Sequence, residues 1–183
     1  RCRLQTRRAE AVEAYRRHLR PEPLLTALRR IADEQVRELL KIHPVPRGAC
    51  VAAVGGYGRG ELYPGSDLDI LILLEHSPDA DDRDRIETLI AALWDAGLEP
   101  GHSVRTVSQC RHEAAADITV QTALLEARWL AGSRGLFQQF RDQMQADLDP
   151  REFYLAKRTE MQQRHVRHQD TPYALEPNCK EAP

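Results

Sequence analysis

The sequence predicts an α+β fold: a small mixed sheet with flanking helices, followed by a helical region. Two short and almost wholly apolar segments, CVAAV at 50–54 and LDILILL at 68–74, are typical of strands covered on both faces. Residues 82–96 carry apolar side chains at helical spacing. Because 42% of the 183 residues are hydrophobic, the chain can bury a core and is not a disordered tail.

The remaining elements divide the chain into three parts. Residues 3–20, rich in Arg and Glu, predict a solvated or frayed helix that Pro21 and Pro23 end, and residues 24–40 predict a second, amphipathic helix. Residues 103–107 alternate like a strand, and helical spacing runs from 117 to 148 and again over 151–168. We therefore predict a helical lead-in (1–48), a core (49–132), and the start of a helical region with an extended tail (133–183).

Composition excludes several classes of protein. A net charge of −2 argues against a general binder of DNA or RNA. No apolar run approaches the roughly 18 to 20 residues that a membrane span needs. The first residues, RCRLQTRRAE, contain no apolar stretch, so we expect no secretory signal. The four cysteines form no CxxC pair, which favours reduced thiols in the cytoplasm over a zinc knuckle.

A glycine-rich loop follows the first predicted strand, in the stretch GGYGRGELYPGSDLD at 55–69. It fails the GxGxxG pattern because Glu61 stands at the third glycine position, and it fails the Walker A pattern because Glu61 replaces the lysine. A strand that feeds a Gly-Gly turn can still aim backbone N–H groups at a phosphate. The alternative is that these glycines only turn the chain.

Two aspartates close the same stretch. Asp67 and Asp69 are two residues apart on a predicted strand, so their side chains project to the same side while Leu68 points into the core. Two carboxylates this close repel one another unless a cation lies between them, and Mg²⁺ prefers oxygen ligands. The alternative is ordinary, because aspartate is frequent at turns and strand ends.

The combination of turn and aspartates resembles a known family. GGYGRGELYPGSDLDILIL is similar to the signature of the nucleotidyltransferase superfamily that includes polymerase beta. Together with LWDAGLEPGHSVRT, DITVQTALLEARWLAG and YALEPNCKEAP, the chain from about residue 50 onward resembles the N-terminal part of bacterial PII uridylyltransferase/uridylyl-removing enzymes. The resemblance implies a polymerase beta-like nucleotidyltransferase core and a metal-dependent transfer of UMP from UTP to a tyrosine of the signalling protein PII, in glutamine-responsive nitrogen regulation.

The resemblance also assigns site residues. It implies that Gly55 and Gly56 hold the triphosphate and that Asp67 and Asp69 hold Mg²⁺ or Mn²⁺. Ser66 matches the small residue before the first aspartate and is expected to bond a phosphate oxygen. Arg59 and Arg105 are further candidates for neutralising phosphate charge, with a solvent-facing role as the alternative for Arg105.

A third catalytic carboxylate is usual in the superfamily, and this sequence shows none that is unambiguous. We assign Asp117, which opens a segment predicted to return to the sheet; the alternative is a helix N-cap. Glu126 is a weaker candidate, expected to be a solvated helix position with no local ion-pair partner. His102 is expected to be a site residue or a structural hydrogen-bonding group.

The family's other domains have no counterpart here. The phosphohydrolase domain and the glutamine-sensing domains are absent, and the chain contains no adjacent His-Asp pair. We therefore expect a truncated transferase region whose partners are UTP and PII, with glutamine sensed by domains absent from this chain. Two alternatives remain open: an adenylyltransferase of the same fold with another acceptor, and a non-catalytic nucleotide-binding module.

Overall fold

The computed structural model describes residues 2–167, which form eight helices and four strands. The predicted tail, TPYALEPNCKEAP, lies outside the described residues. The chain divides into one unit of residues 1–145 and a second that begins at Ala146. In chain order, the elements are α1 (Cys2–His18), α2 (Pro21–Ile42), β1 (Cys50–Ala53), α3 (Gly55–Arg59), β2 (Leu68–Leu74), α4 (Ala80–Asp95), β3 (Pro100–Thr106), α5 (Val107–Ala116), α6 (Ile118–Leu125), β4 (Arg128–Gly132), α7 (Arg134–Ala146) and α8 (Pro150–Arg167).

The sheet is small and mixed, with strand order β3-β2-β1-β4. Strand β1 pairs antiparallel with both β2 and β4, whereas β2 and β3 run parallel. The register shifts between Val51 and Ala52 where β1 meets β4. This arrangement, with helices around it, confirms the predicted fold class. The three-part division of the chain stays a prediction.

Helices cover both faces of the sheet in the first unit. Side chains of β2 alternate between two apolar clusters, which explains why almost every residue of this strand is apolar. One cluster joins Leu68, Ile70 and Ile72 to the apolar faces of α2 and α4. The other joins Leu71 and Leu73 to α5, α6 and α7, around the fully buried ring of Phe140.

The helix boundaries follow local chemistry. Pro21 begins α2, because a proline at the first position of a helix loses no hydrogen bond there. Asp79 and Asp82 form a reciprocal capping box at the start of α4, which satisfies backbone N–H groups that have no partner within the helix. Beyond the end of α4, Gly97 adopts a φ of +81°, which favours glycine.

The prediction of continuous helical structure from 117 to 148 was wrong. Residues Arg128–Gly132 form the edge strand β4, between α6 and α7. Trp129 and Leu130 continue the helical spacing of the preceding leucines, so periodicity alone could not reveal a strand. Pairing with β1 supplied the backbone hydrogen bonds that decided the conformation. Helix α5 was also not predicted, because its apolar positions are few.

The described residues give further information on membrane spans and on the state of the cysteines. Residues 2–167 contain no helix that is long and apolar enough to cross a membrane. Cys50 and Cys110 are free and buried, and burial raises the pKa of Cys50 to about 12 and that of Cys110 to about 11. Both thiols therefore stay protonated at neutral pH. The side chains of Cys2 and Cys179 lie outside the described residues.

A methyl group added at Gly132 tests how tightly β1 and β4 pack, and Gly65, which has the same backbone conformation, is the reference. Gly132 and Gly65 have φ values of +84° and +82°. A Cβ atom on Gly132 would lie 2.4 Å from the carbonyl oxygen of Ala49, whereas one on Gly65 would meet nothing within 4 Å. We expect Gly65→Ala to cost about 1–2 kcal/mol of unfolding free energy from the left-handed backbone alone. Gly132→Ala should cost about 1–3 kcal/mol more, because backbone must also move.

Urea unfolding of both variants checks this expectation. The substitution changes the entropy of the unfolded chain equally in the two cases, so that the difference between them isolates the steric clash. Equal losses of stability would show that the β1–β4 contact is loose enough to accept a methyl group.

Candidate active site

The glycine turn begins directly after β1. Gly55 has a φ of +56° and opens the five-residue helix α3, whose N-cap residue, Val54, has no side-chain oxygen to offer. Because the first N–H groups of a helix have no partner within it, those of this turn need an external acceptor such as water or a phosphate oxygen. The structure thus places the predicted turn at the end of a buried strand.

Asp69 lies against this turn. The backbone N–H of Val54 donates to the carbonyl oxygen of Asp69 over 3.0 Å, so the start of β2 is hydrogen-bonded to the end of β1. A Cβ atom on Gly55 would lie 3.3 Å from Asp69 Oδ2, and one on Gly101 would lie 2.7 Å from Asp69 Oδ1. The half-buried carboxylate therefore lies between the turn and β3.

Ser66 and Asp67 precede β2, and Asp67 is less enclosed than Asp69. The Asp67 side chain is exposed, and Leu68, which follows it, is buried as expected. The Ser66 hydroxyl accepts a hydrogen bond from the backbone N–H of Tyr63 over 3.2 Å, while the N–H of Ser66 donates to the carbonyl of Tyr63. These reciprocal bonds close the loop that carries Ser66 to the aspartates.

A cavity of about 400 Å³ adjoins Asp69. Its lining comes from Val54, β2, β3 and α6, and includes Gly101, His102, Ser103, Arg105 and Thr119. In the parallel register Gly101 is opposite Asp69, so Gly101, Ser103 and Arg105 belong to the face of the sheet that carries this carboxylate. No residue of β3 is acidic, so this strand supplies no third carboxylate.

Arg59 is bound by two carboxylates. Its Nε lies 2.8 Å from Glu61 Oε2, and its Nη1 lies 2.5 Å from Glu126 Oε2. The hydrogen bond that Arg59 donates to Glu61 is the largest of the contacts that raise the pKa of the Arg59 guanidinium. The expectation that Glu126 is solvated without a local ion-pair partner missed this contact, because Arg59 is 67 residues away in sequence. Arg105, by contrast, lies 3.8 Å from Glu113, which is close to the outer limit of an ion pair.

Asp117 caps α6. Its Oδ1 accepts hydrogen bonds from the backbone N–H groups of Thr119 (2.7 Å) and Val120 (3.4 Å). The same first turn of α6 lines the cavity beside Asp69. The role as N-cap, which the sequence left open, is therefore present, and a catalytic role stays a prediction.

The donor set suits a hard divalent cation. Among the described residues, no group of three or more His, Cys, Asp and Glu side chains is placed to hold a metal ion. Two carboxylates with an open approach are nonetheless the usual protein contribution to a Mg²⁺ site, since substrate phosphates and water complete the coordination. Asp67 and Asp69 fit that pattern.

Sequence reasoning missed a buried ionic cluster behind the turn. Asp33 on α2, which is 4% exposed, accepts hydrogen bonds from the Tyr57 hydroxyl of α3 and from both Nη atoms of Arg128 on β4. A signal was present: Asp33 shares the apolar face of α2 with Val36 and Leu40, three and seven residues later. A carboxylate on such a face needs a buried partner.

The comparisons with known proteins agree with the resemblance seen in the sequence. The family described as "Nucleotidyltransferase domain" matches residues 32–114. A bifunctional uridylyltransferase/uridylyl-removing enzyme from Bordetella avium (strain 197N) is 66% identical over 181 residues, which are 99% of this chain and 21% of that protein. One from Cupriavidus pinatubonensis (strain JMP 134 / LMG 1197) is 58% identical over 87% of this chain and 18% of that protein.

The coverage of these matches is unequal. The chain spans about a fifth of the length of the curated relatives it matches. A solved toxin–antitoxin structure with AMP-PNP covers 75% of this chain and 95% of its own at 16% identity, with a TM-score of 0.39, and a likeness this weak carries no weight. The identity to the uridylyltransferases confirms the resemblance and its nucleotidyltransferase domain.

The contact between Gly101 and Asp69 generates a prediction for the site. Gly101→Ala should displace the Asp69 carboxylate, because the new methyl carbon would lie 2.7 Å from its Oδ1. We expect the affinity for Mn²⁺, measured by calorimetry, to fall about tenfold or more, since a ligand moved by 1 Å no longer meets the cation properly. Ser103→Ala, on the same face of β3, is the matched control and should bind Mn²⁺ as the unchanged protein does. Unaltered Mn²⁺ affinity in Gly101→Ala would separate Asp69 from cation binding.

Proposed function

We propose that this chain, which matches a nucleotidyltransferase domain and part of the uridylyltransferase/uridylyl-removing enzymes, transfers UMP from UTP to a tyrosine of PII, releasing pyrophosphate. The observation that carries the proposal is the Asp69 carboxylate, which lies between the Gly55 turn and Gly101. The turn that would bind phosphate and the carboxylate that would hold the cation thus adjoin one another at one end of the strands. The finer identity of nucleotide and acceptor rests on the relatives.

The residues of the turn would bind phosphate, and the two aspartates at the start of β2 would bind the cation. Backbone N–H groups at Gly55 and Gly56 would bind the triphosphate, and Ser66 would add a hydroxyl contact from the loop. Asp67 and Asp69 would hold Mg²⁺ or Mn²⁺, which when bound neutralises phosphate charge and activates the attacking hydroxyl. Arg105, and Arg59 if it leaves its glutamates, would contact phosphate oxygens from the sides.

The setting of this reaction is part of the proposal. UTP and PII are the partners, and we propose that the protein works in the cytoplasm as part of glutamine-responsive nitrogen regulation. DNA, RNA and membranes are not among the proposed partners. Glutamine would be sensed outside this chain, since the longer relatives have about four-fifths of their length beyond the matched region.

A double variant tests the transfer itself. Asp67→Asn with Asp69→Asn should abolish transfer of label from UTP to PII while the fold persists, because the two side chains are exposed and half-buried rather than part of the core. Asp84→Asn, an exposed position on α4, is the matched control and should keep full activity. The assay uses the full-length native protein with Mg²⁺, PII and labelled UTP or ATP. If PII is labelled from ATP alone, the result favours the adenylyltransferase. If the protein binds nucleotide but transfers no label, the result favours the non-catalytic module.

Asp117 can be tested without removing its capping bonds. Asparagine caps a helix about as well as aspartate, so Asp117→Asn keeps the N-cap but loses the proton acceptor. If Asp117 acts as the general base, transfer should fall about 10²–10⁴-fold with no change in stability. Asp79→Asn, at the N-cap of α4, is the matched control. Full activity in Asp117→Asn would restrict this residue to capping.

A further inference from the structure

The Asp33 carboxylate is the centre of a buried cluster behind the Gly55–Gly56 turn. Among the described residues, it is the one charged side chain that is buried. Its Oδ1 accepts from the Tyr57 hydroxyl at 2.9 Å and from Arg128 Nη2 at 3.0 Å, and its Oδ2 accepts from Arg128 Nη1 at 2.9 Å. Two further guanidinium nitrogens, of Arg29 and Arg37, lie 3.6 and 3.7 Å from Oδ2.

Arg128 carries this cluster into the backbone of α3. Its Nη2 also donates to the carbonyl oxygen of Tyr57 over 3.2 Å, and its Nε donates to that of Gly58 over 3.3 Å. Its guanidinium carbon lies 5.2 Å from the centre of the Tyr57 ring. The Tyr57 carbonyl also accepts from the backbone N–H of Gly60 over 3.1 Å. The Gly58 carbonyl belongs to the last turn of α3, where carbonyls have no partner within the helix, and Arg128 binds it from β4.

Helix α3 therefore has little freedom to move. A Cβ atom on Gly58 would lie 2.3 Å from the carbonyl oxygen of Glu126 and 3.0 Å from that of Ala53, so backbone surrounds this residue closely. Burial, followed by the charge of Asp33, raises the pKa of Tyr57, which keeps its hydroxyl a proton donor. The C-terminal part of α3, which follows the Gly55–Gly56 turn, is thus held in place by side chains from α2 and β4.

We propose that Asp33 is a positioning residue for the nucleotide phosphates, acting through Arg128 and Tyr57 on the orientation of the Gly55–Gly56 turn. This inference rests on the proposed function of that turn. The turn and its helix α3 together are only five residues long. So short a helix is not stable by itself, and its direction depends on the elements packed against it. Its N–H groups can point at a phosphate only if neighbouring elements hold the other end of α3.

A positioning role differs measurably from a merely stabilising one. A cluster that only stabilises the fold would, when weakened, lower the unfolding temperature and leave the kinetics of the folded enzyme unchanged. A cluster that orients the turn would also raise the KM for UTP, because a displacement near 1 Å can cost on the order of a hundredfold. The KM for PII should stay the same in both cases.

The experiment compares Asp33→Asn with Glu34→Gln in the full-length native protein. Glu34 is the next residue of α2 and forms an exposed ion pair with Arg7, so it is the matched control. At a temperature at which circular dichroism shows both variants folded, we expect Asp33→Asn to raise the KM for UTP about tenfold or more. Glu34→Gln should leave it unchanged. Tyr57→Phe removes one hydrogen bond to Asp33 and should raise the KM for UTP in the same direction, which decides the matter if Asp33→Asn does not fold.

Coupling between the residues completes the test. Arg128→Lys keeps the charge, but the three N–H donors of one ammonium cannot reproduce the four hydrogen bonds that Arg128 donates from three nitrogens. If the residues act as one unit, the double variant with Asp33→Asn should be little worse than either single variant. A KM for UTP that stays at the wild-type value in folded Asp33→Asn and Tyr57→Phe would overturn the positioning role.

The outcome is distinguishable from failure of the proposed function. If the unchanged protein transfers no UMP to PII, the proposed reaction is wrong, and binding of Mg²⁺–UTP by calorimetry replaces the KM. Weaker binding in Asp33→Asn than in Glu34→Gln would then still support positioning, and equal binding would overturn it.

Discussion

The ion pair between Asp33 and Arg128 is the interaction on which the geometry of this molecule depends. It joins α2, α3 and β4, three elements that are far apart in sequence, through one buried carboxylate. A buried charge is tolerated only when its partners are in place, so the cluster forms only when all three elements have reached their final positions. Helix α2 also packs its apolar side chains against β2, so the same helix joins this cluster to the core of the first unit.

Strand direction explains why a site forms at one edge of the sheet. Strand β1 ends where the antiparallel β2 begins, which brings the Gly55 turn to Asp69 although fourteen positions separate them. Strand β3 runs parallel to β2 and therefore starts at the same edge, with Gly101 opposite Asp69. Glycine at these two positions leaves room around one carboxylate. The topology thus collects the turn, the carboxylate and the open space without any long loop.

Most of the site could be predicted from the sequence, because its signals are local. The Gly-Gly turn, the Asp67–Asp69 pair and β2 all lie within twenty residues, and the apolar run that forms β2 is unambiguous. Strand β4 could not be predicted, since Trp129 and Leu130 fit a helix and only pairing with β1 decides their conformation. The hydrogen-bond partners of Asp33 and Glu126 are likewise non-local: Tyr57 and Arg128 are 24 and 95 residues from Asp33, and Arg59 is 67 residues from Glu126.

The neighbouring carboxylates distinguish the two arginines that could contact a triphosphate, Arg59 and Arg105. Arg59 would have to leave Glu61 and Glu126, and the Glu126 side chain is only 24% exposed, so its carboxylate would lose a partner where water replaces it poorly. Arg105 lies 3.8 Å from Glu113, whose side chain is half exposed. A pair of this kind contributes little, so exchanging it for a phosphate costs little. Since Arg105 also lines the cavity beside Asp69, we infer that it is the arginine that contacts the nucleotide, while Arg59 joins α3 to the end of α6.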